Sequence, residues 1–464
     1  MITRLLLLLL VCSSLAVSSD EPGDKQTKPA NGIENPGTAA TRDIPEMSLS
    51  QTEEIELEPR LPLNELRVFA EAFNRISSAY VEEIDDRTML ENAIRGMLSQ
   101  LDPHSAYLDS ESFSDLQEIT SGNYGGLGIE VQMEEGFVKV ITPMDDTPAS
   151  RAGLKSGDLL TAINGKPIVG LNIDDAVEDM RGPPGSEIIV TVMRDGEDPF
   201  DVTMEREVIR PKSVNWKTID DDILYLRIST FNERTTDLLE DAIEEGSQAI
   251  DGRPDGIVLD LRNNGGGLLD QAISVTDKFL SGGEVVSTIG RRPSDIARYN
   301  ARSGEVFQNV PILVLINNGT ASASEIVAGA LQDRGRATVL GTTSFGKGSV
   351  QTVIPLGTDR GAIRLTTSRY YTPSGRSIQA TGIVPDMEVA QTRVSEEELE
   401  RIRRFSEADL PNALTNEDGV EREIPHLPDE QPPEDYEGDD YQLDRAVEVL
   451  RGGQMSAAET QQAG

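Results

Sequence analysis

The sequence predicts a multi-domain α/β protein: a helical N-terminal region, a module of short strands and two helices, an α/β core, and an acidic, partly disordered C-terminal tail. Three observations carry that expectation. From Leu61 to about Leu116, apolar residues recur at three- and four-residue spacing. From Tyr124 to Glu207, short alternating strands are separated by glycine turns. From Val208 to Glu388, strand, glycine turn and helix repeat, the pattern of a layered α/β architecture.

The first residues have the order of a secretory signal. Arg4 supplies a positive charge, Leu5 to Val11 is apolar, and Ala16-Val17-Ser18 offers a cleavage site, so residues 1–18 are expected to be removed on export to the periplasm or cell envelope. The apolar run is far short of the ~20 residues that span a bilayer. Residues 19–60 are rich in Pro, Gly, Thr and acid and read as a disordered tether.

In the helical region, 61–116, Leu66, Phe69, Ala70, Phe73, Ile76 and Tyr80 form one stripe, and Leu90, Ala93, Ile94, Met97 and Leu98 a second. Leu101-Asp102-Pro103-His104-Ser105 stops the second helix. Residues 117–207 open with Gly125-Gly126-Leu127-Gly128-Ile129-Glu130-Val131, a glycine turn entering a strand. Asn164-Gly165 marks a hairpin, Ile173 to Met180 a short helix, and Ile188 to Met193 a strand.

The core, 208–392, reads as strand Ile223 to Ile228, helix Thr236 to Ile250, strand Gly256 to Leu261 and a helix through Leu280. A buried strand Pro311 to Ile316, a helix from about Ser322 to Leu331 and a strand Ala337 to Gly341 follow. The tail, 393–464, holds helix-like segments at Ser395 to Phe405 and Asp444 to Arg451, around an acidic, Pro-rich stretch from Ser406 to Asp440 that is expected to be mobile.

Composition narrows the chemistry. A formal net charge of −39 argues against nucleic acid as a partner, since binding it needs clustered cations. Cys12 is the single cysteine, so a chain without its signal has no disulfide, thiol nucleophile or thiolate metal site. The two histidines are His104, expected to make structural hydrogen bonds, and His426 in the tail; neither suits a Ser-His-Asp triad or a zinc site. No metal and no cofactor is expected.

Serine with lysine as its base is the arrangement that remains. Asn317-Asn318-Gly319-Thr320-Ala321-Ser322-Ala323-Ser324-Glu325 joins a buried strand to a helix rich in small residues. A serine there faces free helix N-terminal N–H groups, yet Thr320, Ser322 and Ser324 also read as N-caps. Gly341-Thr342-Thr343-Ser344-Phe345-Gly346-Lys347-Gly348-Ser349-Val350-Gln351 comes close to a phosphate-binding loop, but Gly348 stands where Ser or Thr must hold magnesium. A lone lysine among small residues can instead lose solvent and become neutral. Asp260-Leu261-Arg262-Asn263-Asn264-Gly265-Gly266-Gly267-Leu268-Leu269 is either a tight strand–helix turn or a source of backbone donors for an oxyanion.

Taken together, these segments resemble the C-terminal processing peptidases, also called carboxyl-terminal or tail-specific proteases, from about residue 62 to 390. The Leu101 to Ser105 stretch and the Gly126-Leu127-Gly128-Ile129 loop belong to the same resemblance. It implies a serine endopeptidase with Ser322 as nucleophile, Lys347 as general base and Gln351 positioning the lysine through a side-chain hydrogen bond. The N–H groups of Gly266 and Ala323 are the implied oxyanion hole. Thr320 departs from the family, where serine is common, with little expected effect.

The 117–207 module resembles a PDZ domain, whose loop at Gly126, Leu127, Gly128 and Ile129 presents N–H groups to a peptide carboxylate and takes the peptide as an added strand. Arg181 looks like a residue that couples this module to the core. The implied partners are proteins with exposed C-termini, with a homo-oligomer through the terminal helices and an adaptor left open. The alternative is a non-catalytic peptide- or ligand-binding protein on the same fold. For work near neutral pH the lysine must fall from ~10.4 to about 7–8, a burial penalty of about 4 kcal/mol.

Overall fold

The computed structural model describes residues 62–462, except 135, 145, 293, 303, 358–359, 396, 398, 400–404 and 423–425. The signal-like start, Cys12 and the tether lie outside the described residues. Two helices come first, α1 (Leu63–Ala79) and α2 (Asp86–Ser99), the second capped by the Asp85 carboxylate, which accepts the Thr88 N–H. Their apolar stripes are largely exposed at Leu66, Phe69, Ile76, Tyr80, Leu90 and Met97. Among the described residues no helix is long and apolar enough to cross a membrane.

After α2 the region is not purely helical. The Asp102–Ser105 stop leads into strand β1 (Ala106–Leu108) and then helix α3 (Ser110–Ser121). The Asp102 carboxylate accepts the N–H groups of His104 and Ser105, an Asx-type turn that competes with helix and aims the chain into a sheet.

The module that follows runs β2 (Tyr124–Gly126), β3 (Ile129–Glu134), β4 (Phe137–Pro143), α4 (Pro148–Arg151), β5 (Leu159–Ile163), β6 (Lys166–Pro167), α5 (Ile173–Met180), β7 (Glu187–Met193), β8 (Phe200–Glu205) and β9 (Glu207–Ile209). Its antiparallel sheet has the order β3-β4-β5-β7-β8, and β2 pairs with β9 where the chain enters and leaves. Val138, Val140, Leu160, Ile188, Val190 and Val192 alternate inward to make its core, which Ala176 and Met180 of α5 cover.

The core comprises β10 (Val214–Ile219), β11 (Ile223–Ile228), α6 (Thr235–Ala249), β12 (Gly256–Asp260), α7 (Leu269–Phe279), β13 (Gly283–Gly290), β14 (Ile296–Ala301), β15 (Ile312–Ile316), α8 (Ala323–Asp333), β16 (Thr338–Gly341), β17 (Ser349–Pro355), β18 (Ala362–Tyr371) and β19 (Met387–Glu388). A six-stranded sheet orders them β10-β11-β12-β15-β16-β19, parallel from β11 onward. Ile257 and Leu259 face α6, α7 and α8, whereas Val258, Leu313, Leu315 and Leu340 face the other way, so both surfaces need cover. A second, antiparallel sheet, in which β18 pairs with β1, β13 and β17, completes the core.

The tail supplies the missing cover. Leu443, Ala446, Val447 and Leu450 lie on one face of helix α9 (Tyr441–Gln462) and pack on that second surface. The stretch 406–440, expected to be mobile, is anchored at points among its described residues: Ser406 and Glu407 are buried, and Glu430 pairs with Val389 beside β19. The Arg262 guanidinium donates to both oxygens of Asp260 and both of Asp440, which bolts the tail to the end of β12. Buried polar partners hold this segment, and they leave no hydrophobic period to read.

Candidate active site

The implied nucleophile and base lie beyond the C-terminal ends of β15 and β16, where open parallel sheets place their ligand sites. After β15 the Asn317 carboxamide oxygen accepts the N–H groups of Asn263 and Gly319, locking the turn to the one after β12. Thr320, the departure noted above, is buried and donates to the Leu261 carbonyl at 2.9 Å.

Ser322 then takes φ 57° and ψ −116° as the N-cap of α8. A non-glycine residue at positive φ is strained, a backbone geometry found where a nucleophilic serine sits on a strand–helix turn. Its backbone N–H donates to Glu325 Oε2 at 2.7 Å.

Glu325 is fully buried at the start of α8. Its Oε2 also accepts the Lys347 N–H at 3.0 Å, and its Oε1 accepts the Ser344 hydroxyl at 2.6 Å and the Gly346 N–H at 2.8 Å. One carboxyl group thus ties the turn of Ser322 to the loop of Lys347. Burial pushes its pKa up to about 7 against the pull of those hydrogen bonds.

Tyr370 on β18 makes a second tie. Its hydroxyl reaches the Ser322 carbonyl oxygen at 3.0 Å and also contacts that of Lys347. The loop itself needs glycine: a Cβ on Gly348 meets the Gln379 backbone N at 2.6 Å, and Gly346 holds φ +96°. Lys347 is mostly withdrawn from water, and burial, then the Arg364 guanidinium, lowers its pKa. Glu407, Glu325 and Asp102 oppose that fall.

Gln351 is placed differently from the expectation. Its amide donates to Ser349 Oγ at 3.0 Å and Thr366 Oγ1 at 3.2 Å, and none of the described hydrogen bonds joins it to Lys347. The Thr366 hydroxyl faces it across the β17–β18 pair and accepts that amide.

Of the implied oxyanion donors, Gly266 sits directly against Ser322. At φ +101°, a Cβ there meets Ser322 Cβ at 2.8 Å and the Ala323 N at 2.9 Å. Its own N–H donates to Asn264 Oδ1 at 2.9 Å, whereas Ala323 opens α8, where N–H groups lack helical acceptors.

The peptide loop is brought to α5 as expected. Gly126, Leu127, Gly128 and Ile129 line a cavity of about 100 Å³ with Val177, Met180 and Arg181, joined by Tyr124 and Val131. Leu127 itself is buried, and its carbonyl accepts the Ala149 N–H. The Arg181 guanidinium stacks over the Tyr124 ring at 5.1 Å. The same pair borders a second cavity of about 180 Å³ with Lys212, Ser229 and Asn232 of the core.

Asp102, His104, Tyr370, Gln379 and Glu407 also gather around Lys347, and sequence reasoning gave none of them a catalytic setting. The Asp102-Pro103-His104 motif was visible, and Ser322 with Glu325 has capping-box spacing. Glu407 had no signal in its acidic surroundings. The other histidine, His426, pairs with Glu388 at 2.8 Å; with Asp429 they offer ligand atoms within 4.8 Å of one another.

Comparison with known proteins adds relatives to this geometry. Peptidase family S41 matches residues 222–389, the activating protease CtpB N-terminal domain matches 33–112, and a PDZ domain matches 139–194. A carboxy-terminal-processing protease of Bartonella bacilliformis is 47% identical over 407 residues, covering 85% of this chain and 90% of that one. The carboxy-terminal processing protease CtpA of Bacillus subtilis is 33% identical over 324 residues, covering 68% of this chain and 67% of that one. Among solved structures, a photosystem II D1 C-terminal processing protease is 28% identical, with a TM-score of 0.42, over 75% of this chain and 99% of that one.

Proposed function

The chain belongs to the carboxy-terminal processing proteases of peptidase family S41, and from that premise we propose that it is an exported endopeptidase that cleaves with a Ser322–Lys347 dyad. The observation that carries the dyad is the double tie, through the Glu325 carboxyl and the Tyr370 hydroxyl, between the turn of Ser322 and the loop of Lys347.

Neutral Lys347 removes the Ser322 hydroxyl proton as the oxygen attacks the peptide carbonyl carbon. The Ala323 N–H, and the Gly266 N–H once it leaves Asn264 Oδ1, receive the negative oxygen. Collapse breaks the C–N bond, the ammonium of Lys347 returns the proton to the leaving amine, and an acyl-enzyme remains. Water, deprotonated by the same lysine, then hydrolyses the ester. The lowered lysine pKa supports this role, because a base must be unprotonated at working pH. Gln351 keeps a positioning role in this reading, with its carbonyl oxygen as the atom that carries no described hydrogen bond.

The substrates are proteins with exposed C-termini. Their carboxylate docks in the loop at Gly126 to Ile129 and their last side chain enters the cavity bordered by Val177 and Met180. Arg181 couples that docking to the core, which its stacking on Tyr124 beside the inter-domain cavity supports. The signal-like residues 1–18 support the periplasm or cell envelope as its place of work. The exposed stripes of α1 and α2 support a homo-oligomer through the terminal helices.

The test is cleavage of an unfolded protein by the purified chain, followed by mass spectrometry. Ser322→Ala and Lys347→Ala are each expected to abolish it with folding intact. Near-normal cleavage by either variant removes the dyad.

A further inference from the structure

We propose that Glu407 is a positioning residue of the active site, a carboxylate that the C-terminal segment inserts beneath the Lys347 loop and that His104 holds in place. The inference rests on the dyad reading above.

Glu407 lies in one of the most acidic stretches of the sequence, yet its side chain has no exposure. Withdrawing a carboxylate from water is costly unless its oxygens are matched. Both are matched here. Oε2 is 2.8 Å from His104 Nε2, and Oε1 accepts the Gln379 amide at 3.0 Å.

These contacts converge on Lys347 from both sides. The Glu407 N–H donates to the Phe345 carbonyl at 3.1 Å. Gln379, having donated to Glu407, accepts the Gly348 N–H at 2.9 Å with its own oxygen. The next residue, Ala380, donates to the Gly346 carbonyl at 2.8 Å. Two residues before Glu407, Phe405 packs edge-on against Phe345, with ring centroids 5.8 Å apart. The residues flanking Lys347 are therefore pinned by the C-terminal segment or by Gln379, which that segment holds.

The same carboxylate weighs on the charge of the base. The groups that face Lys347 are Arg364 from β18, Glu325 from α8, Asp102 from the loop before β1 and Glu407. Arg364 and burial favour the neutral amine, and the three carboxylates favour the ammonium. His104 is fixed for its part by Asp102, which accepts its N–H at 2.9 Å, and by Arg364, which donates to its carbonyl at 3.0 Å. Asp102 continues through Thr366 Oγ1 at 3.0 Å to Gln351, so N-terminal and C-terminal residues meet behind one lysine.

An anchoring role alone and a positioning role predict different pH profiles. The experiment measures kcat and KM of the full chain from pH 5 to 9, with an internally quenched peptide ending in an apolar residue. Glu407→Gln removes a charge that favours the ammonium, so the Lys347 pKa falls. The acidic limb of kcat/KM is expected to move to lower pH by roughly a unit. Loss of the clamp is expected to lower kcat about tenfold, a part of the ~10²–10⁴ that a general base supplies, with KM little changed. His104→Asn should alter the limb in the parent and have no further effect in the Glu407→Gln background, because it acts through Glu407. An unmoved or upward-shifted limb in Glu407→Gln overturns the proposal. Should that variant not fold, His104→Asn decides alone: a fivefold or greater loss of kcat supports the clamp, and parental kinetics overturn it. Ser322→Ala is run beside them. If it still cleaves, the dyad reading has failed; if it is inactive while Glu407→Gln behaves as the parent, only this inference has.

Discussion

The Tyr370 hydroxyl lies 3.0 Å from the carbonyl oxygen of Ser322, so a strand of the antiparallel sheet holds the turn that carries Ser322. Tyr370 is 1% exposed, and the same hydroxyl contacts the Lys347 carbonyl. Tyr370→Phe keeps the ring and strips a donor from two carbonyl groups. The expected cost is about 1–3 kcal/mol in urea unfolding, with a fall in kcat and little change in KM. An unchanged kcat in a destabilised variant would limit Tyr370 to packing.

Glu325 ties the same two segments and imposes a pH dependence. Its folded pKa of about 7 lies above that of an unfolded glutamate, so between ~4.3 and 7 the folded state binds more protons than the unfolded one. Its contribution is therefore full below the unfolded value and is lost as pH rises through 7. Glu325→Gln removes this slope. It also places an amide NH₂ against one of two pairs of donors, Ser322 with Lys347 or Ser344 with Gly346, so cleavage is expected to fall more than tenfold. Unfolding free energies of parent and variant from pH 5 to 8 give the slope; identical curves contradict the assignment.

Lys347 carries the opposite sign. Burial holds its pKa below the unfolded value, so the unfolded chain binds the extra proton and stability rises with pH through the folded pKa. Lys347→Met is expected to stabilise the protein near pH 6 while abolishing cleavage. Lys347→Arg is expected to be both inactive and less stable, since guanidinium stays charged. Thermal unfolding at pH 6 and 9 checks both, and a Met variant less stable than the parent at pH 6 counts against a buried, strained base.

Peptide capture rests on the cavity between the Gly126 to Ile129 loop and α5. Amidating a substrate's C-terminus removes the charge that the loop donors match and is expected to weaken binding at least tenfold. Leu127 is buried in the module's core, so the cleaner variant is Ile129→Asp, at a partly exposed position. Calorimetry with free and amidated peptides measures both, and equal affinities leave the module without this role.

Much of the site was legible because it depends on local backbone chemistry. The glycine turns after β12 and β16 and the serine turn after β15 are strand-end features, and their residues sit side by side in the parallel order β12-β15-β16. The antiparallel sheet was harder to see. Strands such as Ile296–Ala301 are half-exposed and carry arginine and asparagine, so their hydrophobic alternation is faint. Of the ring of Asp102, His104, Thr366 and Glu407, only the Asp102-Pro103-His104 motif was visible, and its place beside Lys347 was not. Each is a polar residue whose burial depends on a partner hundreds of positions away, and composition assigned the tail to solvent. Gln351 was singled out as a partner of Lys347, yet its amide meets Ser349 and Thr366 instead, and Thr366 lies on a neighbouring strand whose register the sequence does not reveal.

The His104–Glu407 contact spans 303 positions of the chain. During synthesis His104 leaves the ribosome with its partner still untranslated, and Ser322 follows long before residue 407 exists. Contacts of such sequence separation close late, since chain entropy opposes them until the intervening parts have folded. The wall behind the lysine is therefore among the last parts of the site to be completed, and a chain still being made holds Ser322 and Lys347 without it. On the dyad and Glu407 readings proposed above, cleavage waits until the C-terminal segment has been made.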